Sequence, residues 1–275
     1  MGENQQADKT AWQPLTFGGV AAFATATWKR LLVVQTILAL LLASSTVWFL
    51  QTAWFPAINL TVRKLPAQGK VRDGKLDWPG ENPSLLGEGR FLAFVVDVNH
   101  SGQIHSTAHL QVELGQSTIR FRSLFGIMEM PYPKNWTLGL NRGDAEPWWG
   151  AWKPPILWIT FGGVALGLLI LWAAFATLWA GAVWLIAFFA NRRLSIAGAW
   201  KISGAALMPG AVLMLASVFG YGLGVLDLVQ FLSAAVLHIV VDVVFLITSP
   251  FFMPRLETTQ RNPFTPKKGD AEKAK

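Results

Sequence analysis

Four long apolar runs, at residues 31–54, 155–190, 203–226 and 228–253, constrain this chain more than any other feature. An apolar run of 18 or more residues reads as a membrane span, because about 20 helical residues cross the hydrocarbon layer. Each run exceeds what a buried helix of a soluble domain needs. Of the 275 residues 14% are charged, against roughly 25% in an ordinary soluble domain. The fold expected is a polytopic α-helical membrane protein. Four transmembrane helices carry a small β-rich extracytoplasmic domain inserted between helices 1 and 2.

The boundaries follow the polar breaks. Residues 1–30 make a cytoplasmic N-terminal segment, within which 17–29 reads as an interfacial helix or as the inner extension of the first span. Transmembrane helix 1 is expected over 31–55, with Pro56 ending it. A cleaved signal peptide is the rival reading, but the apolar run starts late and is too long for one. Transmembrane helix 2, over 155–190, is longer than one ordinary crossing needs at about 1.5 Å per residue. Two tight spans would leave almost nothing for a turn and would put Arg192 and Arg193 outside, so one long helix is expected. Arg192, Arg193 and Lys201 mark a short cytoplasmic loop. Helix 3 follows over 203–224, with a kink at Pro209-Gly210. Helix 4 takes 228–249, and a basic cytoplasmic tail takes 255–275.

The net charge of +7 has to be divided by location before it carries meaning. In this topology the inner segments hold twelve basic and five acidic residues, whereas the stretch from Leu60 to Lys153 holds eleven and nine. That is the positive-inside pattern, and it gives no ground for a nucleic-acid partner. It puts both termini in the cytoplasm and residues 60–154 outside. Trp28, Lys29 and Arg30 at one boundary, Trp148, Trp149 and Trp152 at another, and Arg192 and Arg193 at a third are the expected interfacial anchors.

The outside domain reads as strands. Asp73-Gly74 lies between Lys70-Val71-Arg72 and Lys75-Leu76-Asp77, a hairpin signal. Phe91 to Val98 is a hydrophobic strand ended by the polar turn His100-Ser101-Gly102. His109–Leu114 and Thr118–Arg122 alternate on either side of Gly115-Gln116, a second hairpin, and Met128, Met130 and Tyr132 add a short edge strand. The module is expected to be largely antiparallel. With no cysteine in the chain, it has neither disulfides nor thiolate chemistry.

Candidates for chemistry are few. His238 and Asp242 stand four apart in helix 4 and share a face, a possible intramembrane polar pair. Either they serve a proton or ion path, or they hydrogen-bond to each other or hold a neighbouring helix. Asp227 reads as a helix-end group. Gly163 and Gly167 form a small-xxx-small pair and Gly181 adds a further close-contact point, so these glycines are expected to pack helices. His105 and His109 would lie too far apart on a strand to share one metal ion. No nucleophile elbow, zinc-protease motif, phosphate loop or dinucleotide fingerprint occurs. The expectation is a non-enzyme with no catalytic residues, no metal and no cofactor.

A resemblance is carried by Trp54-Phe55-Pro56 closing the first span, by Gly69-Lys70-Val71-Arg72-Asp73-Gly74-Lys75-Leu76, and by the strand Phe91–Val98 with Asp97, followed by three further spans. This pattern resembles a family of uncharacterised bacterial inner-membrane proteins, some described as maltodextrin-utilisation proteins, whose terminal bundle is similar to Yip1-type membrane domains. The resemblance implies a bacterial inner (cytoplasmic) membrane and an extracytoplasmic module, and transfers no site residue. The function expected is that of a membrane-anchored accessory, sensor or assembly protein. Its outside domain would contact a ligand, envelope component or partner protein. The alternative is a transporter or channel component using the bundle with His238 and Asp242. Expected partners are the lipid bilayer and either a protein partner or a second copy of the chain.

Overall fold

The computed structural model describes residues 13–256, so the expected basic tail lies almost wholly outside the described residues. Four helical stretches, Trp28–Lys64, Arg142–Phe189, Ile196–Gly222 and Leu228–Phe252, are long and apolar enough to cross a membrane. A small mixed β domain is inserted between the first and the second. The protein is a multi-pass membrane protein with one inserted domain.

Helix α1 (Phe17–Ala22) starts at Thr16, whose hydroxyl accepts a hydrogen bond from the Gly19 N–H at 3.0 Å. Val20 and Phe23 are fully buried, and Phe17 meets the rings of Phe245 and Phe252. The segment is tucked into the end of the bundle and does not lie free on a membrane surface. Helix α2 (Trp28–Phe49) begins at Thr27, passes through a π-helical turn (Leu50–Trp54) and continues as α3 (Phe55–Lys64). The first helix therefore does not end at Pro56. This proline is the second residue of α3, where the widened turn before it accommodates a residue without an N–H.

Helix α4 (Arg142–Phe189) is 48 residues long, about 72 Å at the usual rise. It is one helix, as its apolar run suggests, but it begins well before residue 155. Its first turns stand outside the apolar stretch beside α3, so residues 60–64 and 142–154, assigned from sequence to the β-rich module, are helical. Helix α5 (Ile196–Ala205) and helix α6 (Met208–Gly222) form one span broken at Ala206-Leu207, next to Pro209. Helix α7 (Leu228–Thr248) starts in a capping box of Asp227 and Gln230 and ends in a 3-10 turn, Ser249–Phe252.

On α4, alanine rather than glycine makes the close helix contacts. On α4 the buried positions include Ala165, Ala176, Ala180, Val183 and Ala187, and Ala176 faces Gly204 of α5. Gly163, Gly167 and Gly181 lie on the exposed side, and a Cβ added at any of them would meet open space. They pack against no helix among the described residues. Residue spacing identified a smooth stripe but not which way it faces.

The domain contains two sheets. Strands β1 (Lys70–Arg72) and β2 (Lys75–Asp77) form the expected hairpin, with Asp73 and Gly74 both at positive φ. β8 (Thr137–Gly139) pairs on the other side of β1. The larger sheet runs in sequence order: β3 (Ser84–Glu88), β4 (Leu92–Val96), β5 (Leu110–Leu114), β6 (Thr118–Ser123) and β7 (Gly126–Pro131). β5–β6 is the second expected hairpin and β7 the expected edge strand. β4 and β5, however, are parallel. Residues 97–109 carry the chain back across one face of the sheet before β5 begins, as a parallel connection requires. The other face, with Leu92, Val96, Val112 and Leu114, packs on Ala57, Leu65, Val71 and Leu76. The domain thus grows out of the end of the first helix and leads into the start of α4.

Candidate functional site: a strapped charged face joined to the bundle

Alternation along β5 and β6 puts Gln111, Glu113, Arg120 and Arg122 on one face of the larger sheet, with Glu113 opposite Arg120 and Gln111 opposite Arg122. The 97–109 strap covers this face. Its exposed residues Ser101, Gln103, His105 and Thr107 alternate with partly buried ones, as in an extended chain with one side on a surface. Gln111 holds it by accepting from the Ser106 N–H at 3.0 Å and donating to the Ile104 carbonyl at 3.5 Å. At the strap's start, Asp97 is buried and accepts from the Ser101 hydroxyl at 3.0 Å and from the Gly102 N–H at 2.8 Å. Burial alone would raise its pKa, but these hydrogen bonds outweigh it and hold the carboxyl below its ordinary value.

Glu113 lies beneath the strap, with 1% of its side chain exposed. Its Oε1 is 2.6 Å from His100 Nδ1 and 3.7 Å from Arg120 Nη1. Its Oε2 has Arg122 Nη2 at 2.8 Å but no donor aligned for a hydrogen bond. Arg120 also reaches Glu129 on β7, so two guanidiniums face two carboxylates. A carboxylate this buried needs such pairing, since a lone buried charge costs several kcal/mol. His100, at positive φ, closes the cluster by contacting Thr118 Oγ1 at 3.2 Å. Its ring lies so close to Gly115 that a Cβ there would overlap the imidazole. The groups pair mainly with one another, although Glu113 Oε2 and Arg122 Nε lack a hydrogen-bond partner.

The strap's other end meets the bundle. His109 Nδ1 is 2.5 Å from the Tyr221 hydroxyl, and the two rings stack with centroids 5.5 Å apart. Tyr221, the penultimate residue of α6, also stacks on Phe231 of α7 at 4.6 Å and on Phe49 of α2 at 5.5 Å, while Phe91 meets it edge-on at 4.9 Å. Arg90 donates to the Leu226 carbonyl in the α6–α7 turn at 3.3 Å. The pKa of His109 is lowered by burial first and by the Arg90 cation second, with Asp227 acting in the opposite sense. One segment therefore runs from the buried Glu113 cluster to the ends of three membrane helices.

Within the bundle, His238 and Asp242 share a face of α7 but have separate partners. His238 Nδ1 meets the Ala235 carbonyl of its own helix. Asp242 Oδ1 accepts from the Gly210 N–H of α6 at 3.1 Å. Of the expected alternatives, holding a neighbouring helix is the arrangement found for Asp242. On the other side of the same break, Gln35 donates to the Gly204 carbonyl at 3.2 Å. Both contacts satisfy backbone groups at a helix break within the apolar region, where water is not available to do so. A cleft of about 460 Å³ between α2 and α4, lined by Ser44, Trp48, Gln51 and Trp158 among others, does not touch Asp242.

The expected anchors divide into two kinds. Trp28, Trp148 and Trp152 are exposed, and Lys29 is exposed beside Trp28 with Arg30 partly covered. Trp149 is buried, donates from Nε1 to Asn59 Oδ1 at 2.7 Å and packs edge-on against Phe55, so it joins α4 to α3 and faces no membrane surface. Arg192 is tied to the segment that follows α7, donating from Nη1 to the Met253 carbonyl at 2.7 Å, while Arg193 remains exposed. Lys201 is not in a loop. It is buried in α5, donates to the Ala26 carbonyl at 2.7 Å and lies over the Trp28 ring.

Two elements of the site went unread in the sequence. The Glu113 cluster had a signal, because the alternation that makes β5 and β6 a hairpin also sets Glu113 against Arg120. Tyr221 had a fainter one, as one of only two tyrosines in the chain and placed at a span's end. Among the described residues no group of three or more metal-ligating side chains is placed to hold an ion. Comparison with family models, with curated proteins and with solved structures gives no match.

Proposed function

We propose that this chain is a non-catalytic accessory or sensor protein of the bacterial inner membrane. Its extracytoplasmic domain meets a ligand, envelope component or partner protein, and the bundle anchors it and receives the effect of that contact. Both termini are cytoplasmic in this reading, on the strength of the basic residues flanking the spans. The resemblance of most of residues 18–253 to uncharacterised bacterial inner-membrane proteins supports the same membrane.

The observation that carries the proposal is the strap. It has an exposed side for contact, its first half lies on the Glu113 cluster, and its last residue stacks on Tyr221 where α2, α6 and α7 end. A contact that shifts the strap has a short physical route to the helices. Against the transport alternative, Asp242 and Gln35 are engaged in closing the α5–α6 break.

The test is photocrosslinking in native membranes from a reactive residue at Gln103, followed by identification of the adduct. The proposal expects a stoichiometric partner or envelope component captured from Gln103 and not from a control at Val240 on α7. Solute or proton flux through the purified chain in proteoliposomes, abolished by Asp242→Asn with assembly unchanged, would replace the proposal with the transport reading.

A further inference from the structure

The β6–β7 hairpin ends in Ser123-Leu124-Phe125-Gly126, where polar turn residues would be ordinary. Phe125 is 81% exposed, Leu124 58% and the following Ile127 63%. Strand register places this tip in the fold. Leu92, Leu110, Ser123 and Gly126 are partners in one row across β4, β5, β6 and β7. Immediately beyond that row on β4 and β5 lie Phe91 and His109, the residues that rest on Tyr221 and Phe49 at the end of the bundle. Leu124 and Phe125 extend beyond the same row in the same direction. The tip is therefore level with the ends of the membrane helices, displaced from β5 by one to two strand spacings, or about 5–10 Å.

We propose that Leu124 and Phe125 insert into the lipid leaflet on the domain side, making the hairpin tip a contact between the domain and the bilayer in addition to the helices. Two observations favour lipid over a protein partner as the occupant. The α6–α7 turn at this level also exposes apolar residues, Leu223 and Val225, so the tip continues a surface that the ends of the spans already set at the membrane boundary. The tip also satisfies part of its own backbone, with the Phe125 N–H donating to Ser123 Oγ at 3.2 Å. An exposed aromatic and an aliphatic side chain on a self-bonded turn suit the headgroup–acyl boundary, where amphipathic protein segments bury apolar side chains beneath polar backbone.

The absence of cysteine makes the test direct. The full chain carrying Phe125→Cys, with a spin label attached, is reconstituted in vesicles of phosphatidylethanolamine and phosphatidylglycerol. Accessibility of the label to oxygen and to a water-soluble nickel complex is then compared. Gln103→Cys on the strap is the aqueous reference and Val240→Cys on α7 the lipid reference. The proposal expects a ratio of oxygen to nickel accessibility several-fold above that of Gln103, with quenching of a fluorophore at the same site by lipids labelled near the headgroup. Nickel accessibility equal to that at Gln103 would overturn it. So would a label shielded from both reagents and unquenched by lipid, because that pattern means cover by protein. Leu124→Cys is the second position, so that one poorly folding variant does not leave the question open.

Discussion

Gly210 is the third residue of α6, in a helical turn whose cap residue, Leu207, offers no side-chain acceptor. Its N–H would be unpaired in an apolar layer without the Asp242 carboxyl 3.1 Å away. A Cβ on Gly210 would overlap Asp242 and crowd the His238 carbonyl, so glycine at this position lets α6 and α7 approach. Asp242→Leu is expected to destabilise the bundle by about 1–3 kcal/mol, the cost of a buried donor left without a partner. Asp242→Asn retains an acceptor and is expected to stay close to wild type. Unfolding titrations in mixed detergent micelles check both, and a large loss for Asn with none for Leu would refute the bonding argument. Spacing correctly put His238 and Asp242 on one face, but it gives no information about an acceptor's partner 32 residues away. The missing clue was in the sequence: the Pro209-Gly210 kink frees a backbone donor, and Asp242 is the acidic residue of the helix packed beside it.

Among the elements, the apolar runs and the two hairpins were readable because each is a local pattern with a period of its own. Pro56 shows the limit of local reading. A proline ordinarily ends a helix, yet here the turn from Leu50 to Trp54 widens and α3 continues to Lys64. The continuation fixes how the domain sits, because Ala57 and Thr61 of α3 approach the β3 backbone so closely that only glycine fits at Gly87. Inserting one alanine between Trp54 and Phe55, beyond the widened turn, should rotate α3 by about 100° relative to α2. That takes Ala57 and Thr61 off the sheet and breaks the Trp149–Asn59 bond to α4, while the contacts among the spans themselves stay in place. The expected outcome is a domain cut rapidly by protease in membranes whose spans remain protected. A domain as resistant as wild type would mean that α3 is not the element positioning it. The parallel β4–β5 pairing was likewise unreadable, because hairpin and crossover differ in where a polar strap travels and its composition does not record that.

At the scale of the molecule, domain and bundle meet through side chains distant in sequence, with His109 and Tyr221 at the centre. Arg90, Asp227 and Tyr221 are the titratable groups that bear on this histidine. With the imidazole neutral and its proton on Nε2, the tyrosine hydroxyl donates to Nδ1. Protonation would remove that acceptor and place a second cation near Arg90. Because the docked His109 has a lowered pKa, undocked protein binds its proton more readily. Docking is therefore at full strength above the ordinary histidine pKa of about 6.5, and weakens as pH falls below it toward the lowered docked value. Distances between spin labels at Gln103→Cys on the strap and Val240→Cys on α7 should be narrowly distributed at about pH 7.5 and broaden by about pH 5.5. His109→Gln, uncharged at both, should remove the change while keeping a polar group near Tyr221. Broadening that persists in His109→Gln would move the pH response to another group and leave the clamp indifferent to protons. Broadening lost in His109→Gln would identify the join between strap and bundle as the place where conditions outside the membrane reach the helices.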